Sequence, residues 1–354
     1  MTRPFRVIDT GTRSARANIA FDAALIEAHR DGRIPDTIRF LEFPKSALLG
    51  RHQAVSQEIR ADYCKANGIE IARRITGGGA IYFDEGQLGW ELVFSRRTLG
   101  IESLADVARV VCEAAAMGLR NLGVAANFRP RNDIEVDGRK ICGTGGFFDG
   151  DTIFYQGTLL IDSDPETMVK ALKVPEEKLA KRGLSEAAQR MTTLKALQGD
   201  KLLPRDAIKQ ALLHGLADGL SIEIEHGAAT ADEEHMAKLR HGEEIGTDEF
   251  VFEIDDPGSG DGVLAGTHTG PGGTVRAYLR LEGTGEKRVR EALITGDFFV
   301  TPPRTVLDLE AALRGIPVGD IAATVEKFFA TAPVGLLTIK PADFAAALSA
   351  ATRT

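Results

Sequence analysis

Between Arg73 and Asp84 the chain reads RRITGGGAIYFD, and three consecutive glycines forbid a continuous helix through this stretch. A β-favouring run from Glu70 to Arg74 leads in, so the segment is read as a strand opening into a glycine loop. Bare backbone N–H groups let an anion lie against the main chain, and Arg73 and Arg74 add fixed positive charge. A phosphate-bearing ligand suits this arrangement. The same letters also describe a glycine-rich bend beside two solvated arginines, because neither Walker spacing nor G-x-G-x-x-G is present.

The surrounding pattern alternates short strands and helices. Apolar spacing predicts a helix over Ala17–Arg30, strands at Ile38–Phe43 and Ser46–Leu49, and a helix over Glu58–Gly68. Strands follow at Leu88–Ser95, Ile134–Val136, Arg139–Cys142 and Thr152–Ile161, with a helix at Leu104–Leu122 between the first two. Helices are expected at Pro165–Ala180, Pro204–Gly219 and Thr230–Arg240. Beyond a turn-rich Asp255–Gly273, strands at Val275–Leu281 and Val289–Thr295 precede helices at Thr305–Leu313 and Ile321–Phe329. The expectation is an α+β fold of mixed and antiparallel sheets flanked by helices. Residues 1–235 form a first domain and 236–354 a small α+β second one, a division compatible with 354 residues.

A second chemical motif lies at Arg131–Gly146, RNDIEVDGRKICGTGG. Asp137-Gly138 is a hairpin signal, which places Asn132, Asp133 and Lys140 on or beside adjacent strands. An amide, a carboxylate and an ammonium brought together suit a magnesium-bound nucleotide, with Asp133 toward the metal and Lys140 toward a negative transition state. An exposed hairpin with charged edges is the plain alternative. Tyr155–Leu160 (YQGTLL) and Lys178–Leu184 (KLAKRGL), with Arg190, Thr192 and Thr193 after them, are unremarkable singly.

Composition narrows the partners. A formal net charge of -8 offers no broad basic surface for nucleic acid or anionic membrane. No run reaches the roughly 18 apolar residues of a membrane span, and residues 1–20 lack a signal-type apolar core. Three widely spaced cysteines, Cys64, Cys112 and Cys142, suggest neither a disulfide framework nor a zinc site. A reducing, cytoplasmic setting is expected.

Taken together, SALLGRHQ (Ser46–Gln53), RRITGGGAIYFD, RNDI (Arg131–Ile134), GRKICG (Gly138–Gly143), QGTLL (Gln156–Leu160) and the stretch Lys178–Leu194 resemble the lipoate-protein ligase A family of the biotin and lipoate ligase group. GDFF (Gly296–Phe299) with Pro302 resembles that family's C-terminal accessory domain. The resemblance implies a class II synthetase-like catalytic domain that uses ATP and Mg2+ to adenylate lipoate. The acyl group then passes to a lysine of a carrier: a lipoyl domain, an H-protein-like acceptor or a lipoate-binding protein of sulfur oxidation. It implies Lys140 as the catalytic residue at the acyl carboxylate and α-phosphate. Arg74, Thr76, Gly77, Gly78, Gly79 and Ala80 are implied to line the acyl and phosphate site. Asn132, Gly143, Thr144, Gln156, Gly157 and Thr158 are implied to complete the ligand contacts, with Asp133 also at the metal.

Two positions depart from the family pattern: Phe83 precedes Asp84 where a histidine is usual, and Gln156 opens QGTLL in place of histidine. These changes bear on the acyl pocket or on carrier contacts. The rival reading is an octanoyl or lipoyl transferase that works through a cysteine thioester without ATP, for which Cys142, two residues after Lys140, has to be weighed. Biotin ligase is disfavoured because RRITGGGA replaces its GRGRxxR-like segment. A module that only binds a lipoylated partner stays open on sequence. The loop residues Asp255, Asp256, Asp261 and His268 read as solvated turn residues.

Overall fold

A computed structural model describes residues 4–173, 190–258, 260, 262–332, 334–337 and 339–353. Ten strands precede residue 161: β1 (Pro4–Thr12), β2 (Thr37–Glu42), β3 (Ser46–Leu49), β4 (Glu70–Arg73), β5 (Ile81–Phe83), β6 (Gln87–Ser95), β7 (Asn127–Arg129), β8 (Asp133–Val136), β9 (Arg139–Asp149) and β10 (Thr152–Leu160). With β11 (Glu223–His226) most of them form one eight-stranded sheet in the order β11-β1-β2-β6-β10-β9-β8-β7. β1 runs parallel to both β2 and β11, and the remaining pairs are antiparallel, so the sheet is mixed. A second sheet, β4-β3-β5, carries the glycine segment between its last two strands in sequence.

Helix Leu104–Asn121 covers one face of the large sheet. Ser103 caps it by accepting the Asp106 N–H, and its buried stripe of Leu104, Val107, Ala108, Val111, Ala115 and Leu119 joins the main core. Helix Arg205–Leu220 packs on it so closely that a Cβ at Gly215 would lie 2.2 Å from the Gly118 nitrogen. Gly215→Ala gains about 0.5–1 kcal/mol of helix propensity, yet overpacking costs about 1–3 kcal/mol. A lower urea midpoint with unchanged slope is expected; a higher one would show that the helices can part freely.

The opposite face holds a buried ion cluster. Arg39, with no exposed surface, donates from its guanidinium to Asp22 at 2.7 Å and Glu91 at 2.9 Å. It also donates to Asn18 Oδ1 at 2.6 Å and Thr10 Oγ1 at 2.8 Å, tying helix Ala15–Arg30 to β1, β2 and β6.

The C-terminal part builds its own core. β12 (Val263–Gly270), β13 (Gly273–Glu282) and β14 (Arg288–Gly296) make an antiparallel sheet covered by helices Thr305–Leu313, Ile321–Thr331 and Pro341–Ala351. β15 (Val300–Thr301) pairs with β16 (Gly335–Leu336). β12 falls inside the stretch expected to be turn-rich, because its alternate glycines and threonines mask an extended run that β13 pairs from Val263 to Gly270. β1, β11 and the last helix also lie outside the sequence expectation. The expected helix from Pro165 is described only through Ala171, and residues 174–180 of it are outside the described residues.

Helix Ala231–Arg240 packs on helix Ala15–Arg30 and is held to the first unit by Arg6–Glu233, Arg13–Glu234 and Arg240–Glu27 ion pairs. We therefore propose Asp255–Gly262, rather than residue 235, as the junction between the units.

Candidate active site

A cavity of about 340 Å³ opens between the large sheet and the glycine segment. Its walls come from the two motifs singled out by sequence. The type of turn predicted at Asp137-Gly138 is present, with φ of 51° and 74° at the two residues, and it returns β8 into β9. Lys140 N–H donates to the Arg190 carbonyl at 2.8 Å and the Lys140 carbonyl accepts from Thr192 at 2.9 Å, so the backbone under this lysine is fixed on both sides. Its ammonium lies 2.7 Å from Asp133 Oδ1 and lies over Gly143, where a Cβ would come within 2.5 Å of Nζ. Asp133 also accepts from Arg129 at 2.6 Å. Burial pushes the Asp133 acid upward, but Lys140 and Arg129 outweigh it and hold the carboxylate below its ordinary range.

Arg74, buried to 5% exposure, donates to the carbonyls of Leu48 at 3.1 Å, Gly77 at 3.1 Å and Gly79 at 2.9 Å, and to Thr76 Oγ1 at 3.3 Å. It therefore moulds the glycine loop around itself. Burial lowers its pKa to about 10, so it stays charged at neutral pH, and no carboxylate pairs with it among the described residues. An uncompensated buried cation beside a cavity favours an anionic ligand. Gln156 Nε2 donates to Thr76 Oγ1 at 2.9 Å, so the amide that replaces the expected histidine ties β10 to the glycine loop.

Arg73 has a different job from the phosphate contact inferred from its sequence. Fully buried, it donates to the carbonyls of Gly50, Arg51 and Gln53, and to those of Phe250, Val251 and Ile254. It clamps the linker that leads to the C-terminal unit, and its donors are spent.

Arg74, Thr76, Gly77, Gly79, Ala80, Asn132, Lys140, Gly143, Thr144, Gln156, Gly157 and Thr158 all line the cavity. Gly78 and Asp133 stand behind that lining. Thr144 donates to the Asn132 carbonyl at 2.8 Å and meets the buried Tyr155 hydroxyl at 2.5 Å, while Asn132 Nδ2 donates to the Thr144 carbonyl, so these residues position one another. Residues 178–184 of the third motif lie outside the described residues.

Sequence reasoning missed Phe299, which arrives from the C-terminal unit. Its ring fills the space beside Gly78 and Gly145, where added Cβ atoms would lie 2.5 Å and 2.4 Å from ring carbons. Gly78 N–H donates to the Phe298 carbonyl at 2.9 Å, and the His52 carbonyl accepts from Gly296 at 3.0 Å. His52 is stacked on Phe298 at 5.3 Å; burial, then Arg51 and Arg73, push its pKa down to about 3 and keep it neutral. One of the glycine amides expected to face phosphate is thus bonded to the accessory turn.

The far end of the cavity is apolar: Leu41, Phe43, Leu48, Phe83 and Leu160. The site therefore joins a cationic, amide-rich mouth to a hydrocarbon-lined end, a shape for an amphiphilic acid. It does not fit a resident Mg2+. Both Asp133 oxygens are engaged by cations, and the described residues hold no group of three or more histidine, cysteine or acidic side chains able to ligate a metal.

Lipoate-protein ligase A subunit 1 of Thermoplasma acidophilum is 28% identical over 247 residues, which is 67% of this chain and 92% of that protein. The octanoyltransferase LipM of Kyrpidia tusciae is 28% identical over 258 residues, 66% of this chain and 93% of that protein. The bipartite lipoate protein ligase of Thermoplasma acidophilum, solved in a study that includes its E2 lipoyl domain, matches with a TM-score of 0.63 at 25% identity, over 73% of this chain and 100% of that one. Plasmodium falciparum LipL1 in complex with lipoate matches with a TM-score of 0.70 over 94% of this chain and 95% of its own, at 14% identity, a likeness of fold alone. The lipoyl protein ligase A/B catalytic-domain model spans residues 14–217, which encloses both chemical motifs and every cavity residue except Phe299, and the chain is a member of that family.

Proposed function

We propose that this enzyme activates lipoate with ATP and ligates it to a lysine of a lipoyl-type carrier domain. The observation that carries the reading is the pairing of an acyl-shaped cavity with two cations, Arg74 and Lys140, and no usable thiol. A carboxylate oxygen attacks the α-phosphorus of ATP, the bond to the β-phosphate oxygen breaks, and pyrophosphate leaves. Lys140 offsets charge gathering on the in-line transition state, and Arg74 keeps the loop electropositive. The carrier amine then attacks the acyl carbonyl, the bond to AMP breaks, and the amide forms with release of AMP and a proton.

The relatives include ligases and octanoyltransferases alike, so the cysteines carry weight here. Cys64, Cys112 and Cys142 are all buried, and burial pushes the first two thiols up to about 11 and the third higher still. The thiolate is the nucleophile in a transferase, and each of these environments opposes it. Cys142→Ala and Cys112→Ala, made singly, are expected to keep the rate of ATP-dependent lipoylation within the same order of magnitude. Loss in Cys142→Ala, with folding intact by circular dichroism, would favour the thioester route.

A further inference from the structure

We infer that Phe83 is the stop that sets the length of acyl chain this enzyme accepts, an inference that rests on the acyl-pocket reading above. Strand register gives the direction of the cavity. Gln156 pairs with Gly145 and Thr158 with Gly143, beside the polar mouth, whereas Leu160 pairs with Gln87 two steps further along β10. From Gln156 to Leu160 the strand advances about 13 Å. Gln87 Nε2 donates to the Tyr82 carbonyl at 2.9 Å, which brings β5 against that same end of the pocket.

Phe83 lines the cavity from this position while being only 4% exposed. Its ring lies 4.3 Å from that of Phe43, and the pair is backed by Leu41, Leu48, Ala15 and Ala72. A ring so supported cannot rotate aside for a longer chain, since the packed neighbours offer no void. The outer wall is different in kind: Met168 and Met191 are half-buried and unbranched, and adapt to what lies against them. The pocket is thus adjustable along its side and closed at its end. A histidine at position 83 would put polar nitrogens where this chain puts a hydrocarbon face.

Trp90, the single tryptophan of the chain, lines the same cavity, so its fluorescence reports acid binding without any turnover. The experiment titrates the intact wild-type chain and two variants with hexanoate, octanoate, decanoate and dodecanoate. Wild type is expected to gain affinity up to a limit near eight carbons and to lose it beyond. In Phe83→Ala the limit moves outward; because each methylene newly buried is worth about four-fold, the dodecanoate-to-octanoate ratio rises by more than about ten-fold. Leu160→Phe, which fills the same end from the opposite wall and leaves Trp90 the single tryptophan, shifts the preference toward hexanoate. A length profile unchanged in both variants overturns the assignment of Phe83. Absence of any binding by wild type overturns the acyl-pocket reading itself. Should Phe83→Ala fail to fold, the direction of shift in Leu160→Phe decides.

Discussion

Lys140→Ala is expected to lower the rate of acyl-adenylate formation by about 10²–10³-fold or more, the range seen when one preorganised charge-stabilising donor is removed. The fold should survive, because the side chain is about a third exposed and its backbone bonds to Arg190 and Thr192 do not involve the ammonium. Lys140→Arg is not expected to rescue. The lysine side chain already lies over Gly143 in a space that a Cβ there would invade at 2.5 Å, and a planar guanidinium needs more room in a different direction. Stopped-flow measurement of pyrophosphate release gives the rate directly; wild-type speed in Lys140→Ala would remove Lys140 from the chemistry, and wild-type speed in Lys140→Arg would show that a cation of either shape suffices.

The second large effect is on stability. Arg39→Met is expected to cost about 3–5 kcal/mol, as when one partner of a buried ion cluster is deleted. Asp22 and Glu91 would remain with no cation, and Asn18 and Thr10 would each lose a donor. Burial already raises both acids, and the charge of Glu91 raises Asp22 further, well above its ordinary value, as expected of two carboxyl groups around one guanidinium. Glu91→Gln should be far milder, since Glu91 Oε2 has no hydrogen-bond partner and the substitution leaves one acid for one base. Equal losses in the two variants, measured by urea denaturation, would show that the cluster is not held by Arg39.

How much of this was legible in the sequence depends on distance along the chain. The glycine loop, the Asp137-Gly138 hairpin and helix Leu104–Asn121 are set by neighbouring residues, and each was read correctly from local pattern. Arg73 was misread because its acceptors lie near residues 50–54 and 250–254; adjacent arginines look alike until their partners are known. β1 and β11 were missed for the same reason, since a parallel pair more than 200 residues apart leaves no turn signal. Phe299 belonged to a recognisable motif, yet nothing near it in sequence indicates that its ring reaches Gly78 and Gly145.

The departures from the family pattern acquire physical content in the fold. Gln156 supplies an N–H donor to Thr76, and Phe83 packs against the tilted ring of Phe43 at the closed end of the pocket. One adjusts the glycine loop; the other adjusts the acyl chain. Neither removes a charge from the mouth of the cavity, where we propose that the acid is activated.

ATP-dependent activation of an acid is tested most directly by mixing the protein with ATP, magnesium and lipoate in the absence of any carrier. Stoichiometric pyrophosphate together with lipoyl-AMP, identified by mass spectrometry, is the expected result, with the acyl group moving to a lysine when a lipoyl domain is added. No pyrophosphate, combined with acyl transfer to the same domain from an octanoyl thioester without ATP, would contradict it.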